Sequence, residues 1–272
     1  MENISENICE LKHEFVNLYD GHSHTMEVLP NTPSTAIPIN DTHLSLLHKF
    51  LKNNPIYSNQ ISKTMLEMEC TIFEGDLNNY WIDSIKHDAS YAPFYPTWLL
   101  SAFSLSIEAQ NLGFEQIVDI GSGDGRIAYC GKVSGLNTLS IEIDENLVHM
   151  QEHLSEKTNI KFNPICQDAT LYNFNNLPDK KSIFVIGGVP EIGDVLADSI
   201  IKNVLEIPRL SDSSFVLTGS HSHRKFSRDP ANFGWGRTVK KFELSIISTI
   251  SLPTYWTMEQ EFETPYVFTK KG

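Results

Sequence analysis

Val118-Asp-Ile-Gly-Ser-Gly-Asp-Gly-Arg126 places three glycines and two acids within the seven residues from Asp119 to Gly125. Glycines let a backbone reverse tightly and let a ligand approach it closely. Gln116-Ile-Val-Asp-Ile120, just before them, reads as a short buried strand, and a helix is expected from about Arg126. A helix start presents unpaired N–H groups, and open α/β sheets bind ligands at the carboxyl ends of such strands. Two cofactor classes suit that geometry. In one register Gly123-Asp-Gly-Arg-Ile-Ala128 matches the dinucleotide pattern G-x-G-x-x-A, with Glu142 19 residues after Gly123. A dinucleotide would bring an anionic pyrophosphate to Asp119 and Asp124. Two like charges ~4 Å apart at an effective dielectric near 20 repel by about 4 kcal/mol. S-adenosylmethionine carries no phosphate; it carries a sulfonium and an ammonium, which carboxylates attract. The electrostatics therefore favours the methyl donor, with Asp119, Gly121, Ser122 and Gly123 around it.

Further candidates lie along the same crevice. Glu142 ends the second expected strand, where a carboxylate can accept ribose hydroxyls. Asp168, after the third, either receives the adenine amino group or caps a helix, with Ile143 or Ala169 beside the ring. His22-Ser-His24 is a possible pair of metal ligands without partners at familiar spacing, so no metal is expected. His221 to Lys225, with Arg228 and Arg237, forms a local basic patch: an anion site or a solvated loop. Phe233-Gly-Trp-Gly-Arg237 reads as an aromatic loop, either a substrate gate or a cover for the sheet edge.

The elements that must position these residues alternate from about residue 97 onward. A helix is expected over Thr97–Gln110, with Gly113 past its end. Strands are expected over Thr138–Ile143, Ile160–Cys166, Ser182–Ile186 and Ser214–Thr218, with helices over Glu145–Glu156 and Val195–Leu205. Pro164 suits an edge strand. Lys241–Ile250 and Pro265–Thr269 would end the sheet as an antiparallel pair. Such β-α-β crossovers imply a doubly wound, Rossmann-like, mostly parallel seven-stranded sheet covered on both faces. Residues 1–90 read as an N-terminal helical extension, and 91–272 as the catalytic domain. Within the extension, helical spacing of Ile8, Leu11, Phe15 and Leu18, a helix capped by Asp41, and a third helix over about Ser58–Glu69 are expected. Residues 29–40, with three prolines, read as a loop.

Composition narrows the partners. A formal net charge of -13 disfavours strong nucleic-acid binding, which needs many phosphate-facing cations. It suits a protein or small-molecule substrate. Cys9, Cys70, Cys130 and Cys166 include no CxxC pair, so neither a zinc knuckle nor a dithiol redox motif is indicated. The first residues lack the basic and apolar regions of a secretory signal, and no apolar run approaches the ~20 residues that span a bilayer. A cytoplasmic location without membrane contact is the expectation; oligomeric state is not legible.

Asp119-Ile-Gly-Ser-Gly-Asp-Gly, Ile141-Glu-Ile-Asp144 and Gln167-Asp168 resemble, in order and spacing, the motifs of class I S-adenosylmethionine-dependent methyltransferases. The resemblance covers roughly residues 91–220. More narrowly, Tyr91-Ala-Pro-Phe-Tyr-Pro96 resembles the Tyr-x-Pro-Phe loop of Dot-type and small archaeal protein-lysine methyltransferases. That resemblance implies a loop from Tyr91 to Thr97 closing over the cofactor's methionine end, with Glu142 on the ribose. It implies a substrate channel among Tyr91, Phe94, Tyr95, Gly187 and Gly188, and a lysine-bearing protein substrate. The chain departs from the Dot-type pattern after the fourth strand, where Ile186-Gly-Gly-Val-Pro190 replaces an Asn-rich turn. The Asp/Asn-Pro-Pro-Tyr motif for planar base amines is also missing. A small-molecule methyltransferase, a non-catalytic S-adenosylmethionine-binding protein and a nicotinamide enzyme remain the alternatives. No general base is isolated by the sequence.

Overall fold

Apolar strands bounded by turns form the central sheet of the protein. Its structure, a computed structural model, describes residues 4–78, 80, 96–186, 190–218, 235–253 and 264–272. The sheet contains β4 (Gln116–Ile120), β5 (Asn137–Glu142), β6 (Pro164–Cys166), β7 (Ser182–Ile186), β8 (Ser214–Thr218), β9 (Leu244–Leu252) and β10 (Thr264–Lys271). Their order is β6-β5-β4-β7-β8-β10-β9, parallel except for β10, which runs antiparallel to both neighbours. This is the doubly wound, mostly parallel seven-stranded sheet that the alternating pattern predicts.

Strand side chains alternate between two cores, which is why the strands read as unbroken apolar runs. Ile117, Ile183, Val185 and Val216 face one core. Val118, Ile120, Phe184, Ile186, Phe215 and Leu217 face the other. The first core also holds α3 (Leu99–Asn111) and α4 (Arg126–Val133). α5 (Glu145–Thr158) returns the chain from β5 to β6, and α6 (Pro190–Leu205) from β7 to β8. A short α7 (Gly236–Lys241) precedes β9.

The N-terminal segment corrects one expectation. α1 (Ile4–Leu18) and α2 (Asp41–Asn53) are helices as their spacing predicts, and Ile8, Leu11 and Phe15 are buried. The span Ser58–Glu69 is not a third helix but most of a hairpin. β2 (Tyr57–Met65) and β3 (Met68–Gly75) pair antiparallel around Leu66 and Glu67, and β1 (Thr25–Pro30) pairs on the other side of β3. Both turn residues have positive φ, 48° and 59°, the two-residue hairpin geometry that Asn-Gly usually signals. Without that dipeptide the turn leaves no local mark, and β2 is an edge strand with a mostly exposed polar face. The extension is therefore mixed α and β. Its residues and those of α3 and α4 lie in one continuous core. The boundary expected near residue 90 falls outside the described residues.

Two smaller expectations also shift. β6 is an edge strand, as Pro164 suggests, but it starts only at Pro164, because Asn163 at φ 53° breaks the pairing before it. Trp235 is no gate. It is completely buried in the second core, while residues 233 and 234 lie outside the described residues.

Asp41, expected to cap α2, is instead its first helical residue, and the cap lies one residue earlier. Asn40 caps α2, accepting from the His43 backbone N–H at 2.8 Å. Asn40→Ala is expected to cost about 1 kcal/mol and lower Tm by roughly 2–4 °C in a thermal melt.

Among the described residues no helix is long and apolar enough to cross a membrane.

Candidate functional site

The carboxyl ends of β4, β5, β6 and β7 lie side by side. Ile120 pairs with Ile141 and Ile186, and Glu142 pairs with Cys166. β4 is the strand from which the chain winds first one way and then the other, the switch point where such sheets bind ligands. The glycine turn springs from it. Gly121 and Ser122 both donate their N–H to the Ile141 carbonyl, at 3.0 and 3.2 Å, and Gly125 N–H bonds the Ser122 carbonyl at 2.8 Å. Gly121, Gly123 and Gly125 have φ of 65°, 58° and 77°, so the turn needs glycine at all three.

Their surroundings differ. A Cβ added at Gly121 would meet no described residue within 4 Å, whereas one at Gly125 would lie 2.6 Å from Phe162 and 2.9 Å from Gln151. Gly125 is thus packed against the protein, and Gly121 is exposed.

Carboxylates take one N–H of the turn and several beside it. Glu142 accepts Gly123 N–H at 2.8 Å on one oxygen, and Ile143 and Asp144 N–H at 2.8 and 3.1 Å on the other. Asp119 accepts Ala128 N–H at 3.2 Å. Asp124 accepts Arg126 N–H at 3.3 Å. Glu142 thereby uses three of a carboxylate's roughly four acceptor positions and keeps capacity for about one more bond.

The charges are not those the sequence suggests. Asp119 is 2% exposed, and its carboxyl is pushed up to about 8, chiefly by burial and also by the negative neighbours Glu142 and Asp124. Burial thus favours its neutral form, although the Ala128 N–H pulls the other way. Asp124 is fully buried and paired with Arg126 at 2.6 Å. The expectation that both acids present free charge to a cofactor is corrected: burial favours the neutral form of one, and a guanidinium pairs with the other. Burial opposes the Arg126 charge, but the negative neighbours Asp124 and Glu27 outweigh it and keep the guanidinium ionised.

Two other supports were not legible. Gln151 on α5 donates to Ser122 Oγ at 3.0 Å and to the Gly123 carbonyl at 2.8 Å, while its own oxygen accepts from Ser140 at 2.6 Å. Glu27, Tyr57 and Asn54 reach the turn from the N-terminal segment through Arg126 and Asp124. Glu27 did leave a trace: it is an acid inside the short apolar run Met26–Leu29. Nearby, Lys12 of α1 lies with Nζ 4.4 Å from the Trp98 ring; burial lowers its pKa to about 8, although Glu27 pulls the other way.

The remaining candidates are placed as follows. Ser122 is buried under Gln151, and Ile143 is half-buried beside Glu142. Asp168 caps a single 3-10 turn, accepting from Thr170 N–H at 2.8 Å and its hydroxyl at 2.7 Å, so of its two readings the cap is present. Thr97 contributes its carbonyl to Arg126. Tyr91, Phe94, Tyr95, Gly187 and Gly188 lie outside the described residues, as do His221 to Lys225 and Arg228. His24 Nδ1 accepts from Leu77 N–H at 3.2 Å and sits beside Asp76. Among the described residues no three His, Cys, Asp or Glu side chains are grouped to hold a metal ion.

No protein-family model and no curated protein matches the chain. Among solved structures it is similar to the Pyrococcus abyssi tRNA (uracil-54, C5)-methyltransferase in complex with S-adenosyl-L-homocysteine. That match has 17% identity and a TM-score of 0.47 over 65% of this chain, and the chain spans 39% of that structure. A glycopeptide N-methyltransferase complexed with S-adenosylmethionine matches at 10% identity and TM-score 0.47, over 63% of this chain and 94% of its own. An S-adenosylmethionine-dependent methyltransferase from Clostridium acetobutylicum matches at 15% and 0.43, over 63% and 92%. These identities and TM-scores are too low to carry a function across.

Proposed function

We propose that this protein is an S-adenosylmethionine-dependent methyltransferase with its cofactor at the turn Gly121–Gly125. One observation carries the reading. Three N–H groups of the turn and the start of α4, those of Gly123, Ala128 and Arg126, are occupied by Glu142, Asp119 and Asp124, while a Cβ at exposed Gly121 would meet no described residue. A phosphate-free cofactor fits that arrangement; a dinucleotide would have to displace three carboxylates from their donors. Hydrogen bonding, and not net charge alone, supports a phosphate-free cofactor.

The residues present suit the proposed group. Glu142 has acceptor capacity left for a ribose hydroxyl. Gly121 lets a ligand meet the backbone, and half-buried Ile143 follows Glu142 at the end of β5. The cofactor supplies a methyl group on a sulfonium, already activated toward nucleophiles. The protein's task is then alignment and exclusion of water rather than provision of a nucleophile. The acceptor we propose is a lysine amine of a protein substrate. Support comes from the resemblance of Tyr91–Pro96 to the Dot-type loop and from the missing motif for planar base amines. Labelled methyl donor added to cell extract with the protein is expected to mark the protein fraction. Label found only in small metabolites would reject the lysine acceptor.

Gly121→Ala tests the cofactor site. A side chain at φ 65° strains the backbone by about 1–2 kcal/mol. It meets no atom of the described residues, so the variant is expected to fold. It does intrude on the open crevice, and affinity for S-adenosylhomocysteine, measured by calorimetry, is expected to fall at least tenfold. The parent should be stabilised by S-adenosylhomocysteine and not by NAD in a thermal shift. Stabilisation by NAD alone would reverse the assignment.

A further inference from the structure

We propose that Glu27, from the N-terminal segment, is a positioning residue that holds two helix starts in register around the glycine turn. Its side chain is buried on β1, between Met26 and Val28. One carboxylate oxygen accepts the N–H of Leu99, the first residue of α3, at 2.9 Å. The other accepts from Arg126 Nη1, on the first residue of α4. The same Nη1 also donates to the Thr97 carbonyl, just before α3. Arg126 then grips Asp124 inside the turn, through Nε at 2.9 Å and Nη2 at 2.6 Å. Tyr57 of β2 closes the ring, accepting from Nη2 at 3.1 Å and donating to Glu27 at 3.4 Å.

Every one of the guanidinium's N–H groups has an acceptor in this set, so its orientation has one solution. Stability alone does not account for such a cluster. Buried ion pairs are commonly matched or exceeded in stability by apolar residues of similar volume. What the cluster adds is direction: it ties β1, the entry to α3, the start of α4 and the turn to one another. Glu27 needs no contact with a ligand to act in this way.

The consequence for cofactor affinity rests on the reading above; the positioning itself does not. Glu27→Gln and Tyr57→Phe are therefore measured first without ligand, by amide hydrogen exchange. We expect exchange over residues 99–102 and 121–128 to rise about tenfold in Glu27→Gln and about threefold in Tyr57→Phe. Exchange at Ile117, Val118 and 183–185 is expected to stay at the parent rate. Calorimetry should then show S-adenosylhomocysteine binding weakened by similar factors, while Asn40→Ala, which lowers stability far from the turn, binds as the parent does. Unchanged local exchange in Tyr57→Phe, or acceleration spread evenly over the central strands in either variant, would overturn the role assigned to Glu27. A parent that fails to bind S-adenosylhomocysteine would instead overturn the cofactor reading, and the exchange rates would still decide the positioning.

Discussion

Asp119→Asn is expected to be at least as stable as the parent at pH 7 and clearly more stable at pH 9. The Asp119 carboxyl, raised to about 8 mainly by burial, is more basic in the folded chain than in the unfolded one. Its contribution to stability is therefore complete below about pH 4 and is lost as pH rises through about 8. The whole window is worth up to about 6 kcal/mol for this one group. Asparagine keeps an oxygen for the Ala128 N–H and cannot ionise. Urea denaturation from pH 5 to pH 9 should show variant and parent stabilities diverging by several kcal/mol. Parallel curves would mean that Asp119 titrates normally. Asp119→Ala makes the contrast: it also removes the titrating group but strands a buried N–H, so it should be about 1–3 kcal/mol less stable than Asp119→Asn at any pH.

Gly125→Ala should damage the fold where Gly121→Ala does not. The new methyl group would stand at φ 77° and 2.6 Å from Phe162. The backbone strain is about 1–2 kcal/mol. Overpacking adds about 1–3 kcal/mol more, since neither neighbour yields easily. Phe162 is completely buried, with Tyr129 edge-on at 6.1 Å. Gln151 is fixed by Ser140, Ser122 and the Gly123 carbonyl. A total of roughly 2–5 kcal/mol should appear as a large fall in the denaturation midpoint. Adding Phe162→Leu should return part of it, because the shorter side chain vacates the contact. A double-mutant cycle with no coupling between the two sites would show that the clash is relieved some other way.

These two glycines mark how far the sequence could be read. Gly121, Gly123 and Gly125 stood out together, since a tight turn between strand and helix draws on local backbone freedom alone. β4, β7 and β8 were legible to the residue for a similar reason: strands buried on both faces are continuous apolar runs with sharp ends. Which glycine opens to a ligand and which packs against Phe162 was not legible. That depends on Asn159 and Asn163, whose positive φ brings the chain back beneath the turn. The β2–β3 hairpin escaped notice because neither Leu66 nor Glu67 announces a turn, and β2 is held in place by β3 rather than by its own propensities.

Charge was the harder matter. The acids of the glycine motif could be counted from the sequence, but their state could not. Asp119 lies on the face of β4 that meets α4, out of water, which favours its neutral form; Asp124 meets Arg126 two residues on and Asn54 seventy residues earlier. From the sequence alone came a doubly wound sheet, a glycine turn at its switch point, and Glu142 at the end of the neighbouring strand, because these follow from local periodicity and spacing. Only the folded chain decided that the turn's N–H groups are already bonded and that Glu27 aligns two helix starts. Burial and long-range pairing set the energy of an ionisable group, and neither is written in the residues beside it.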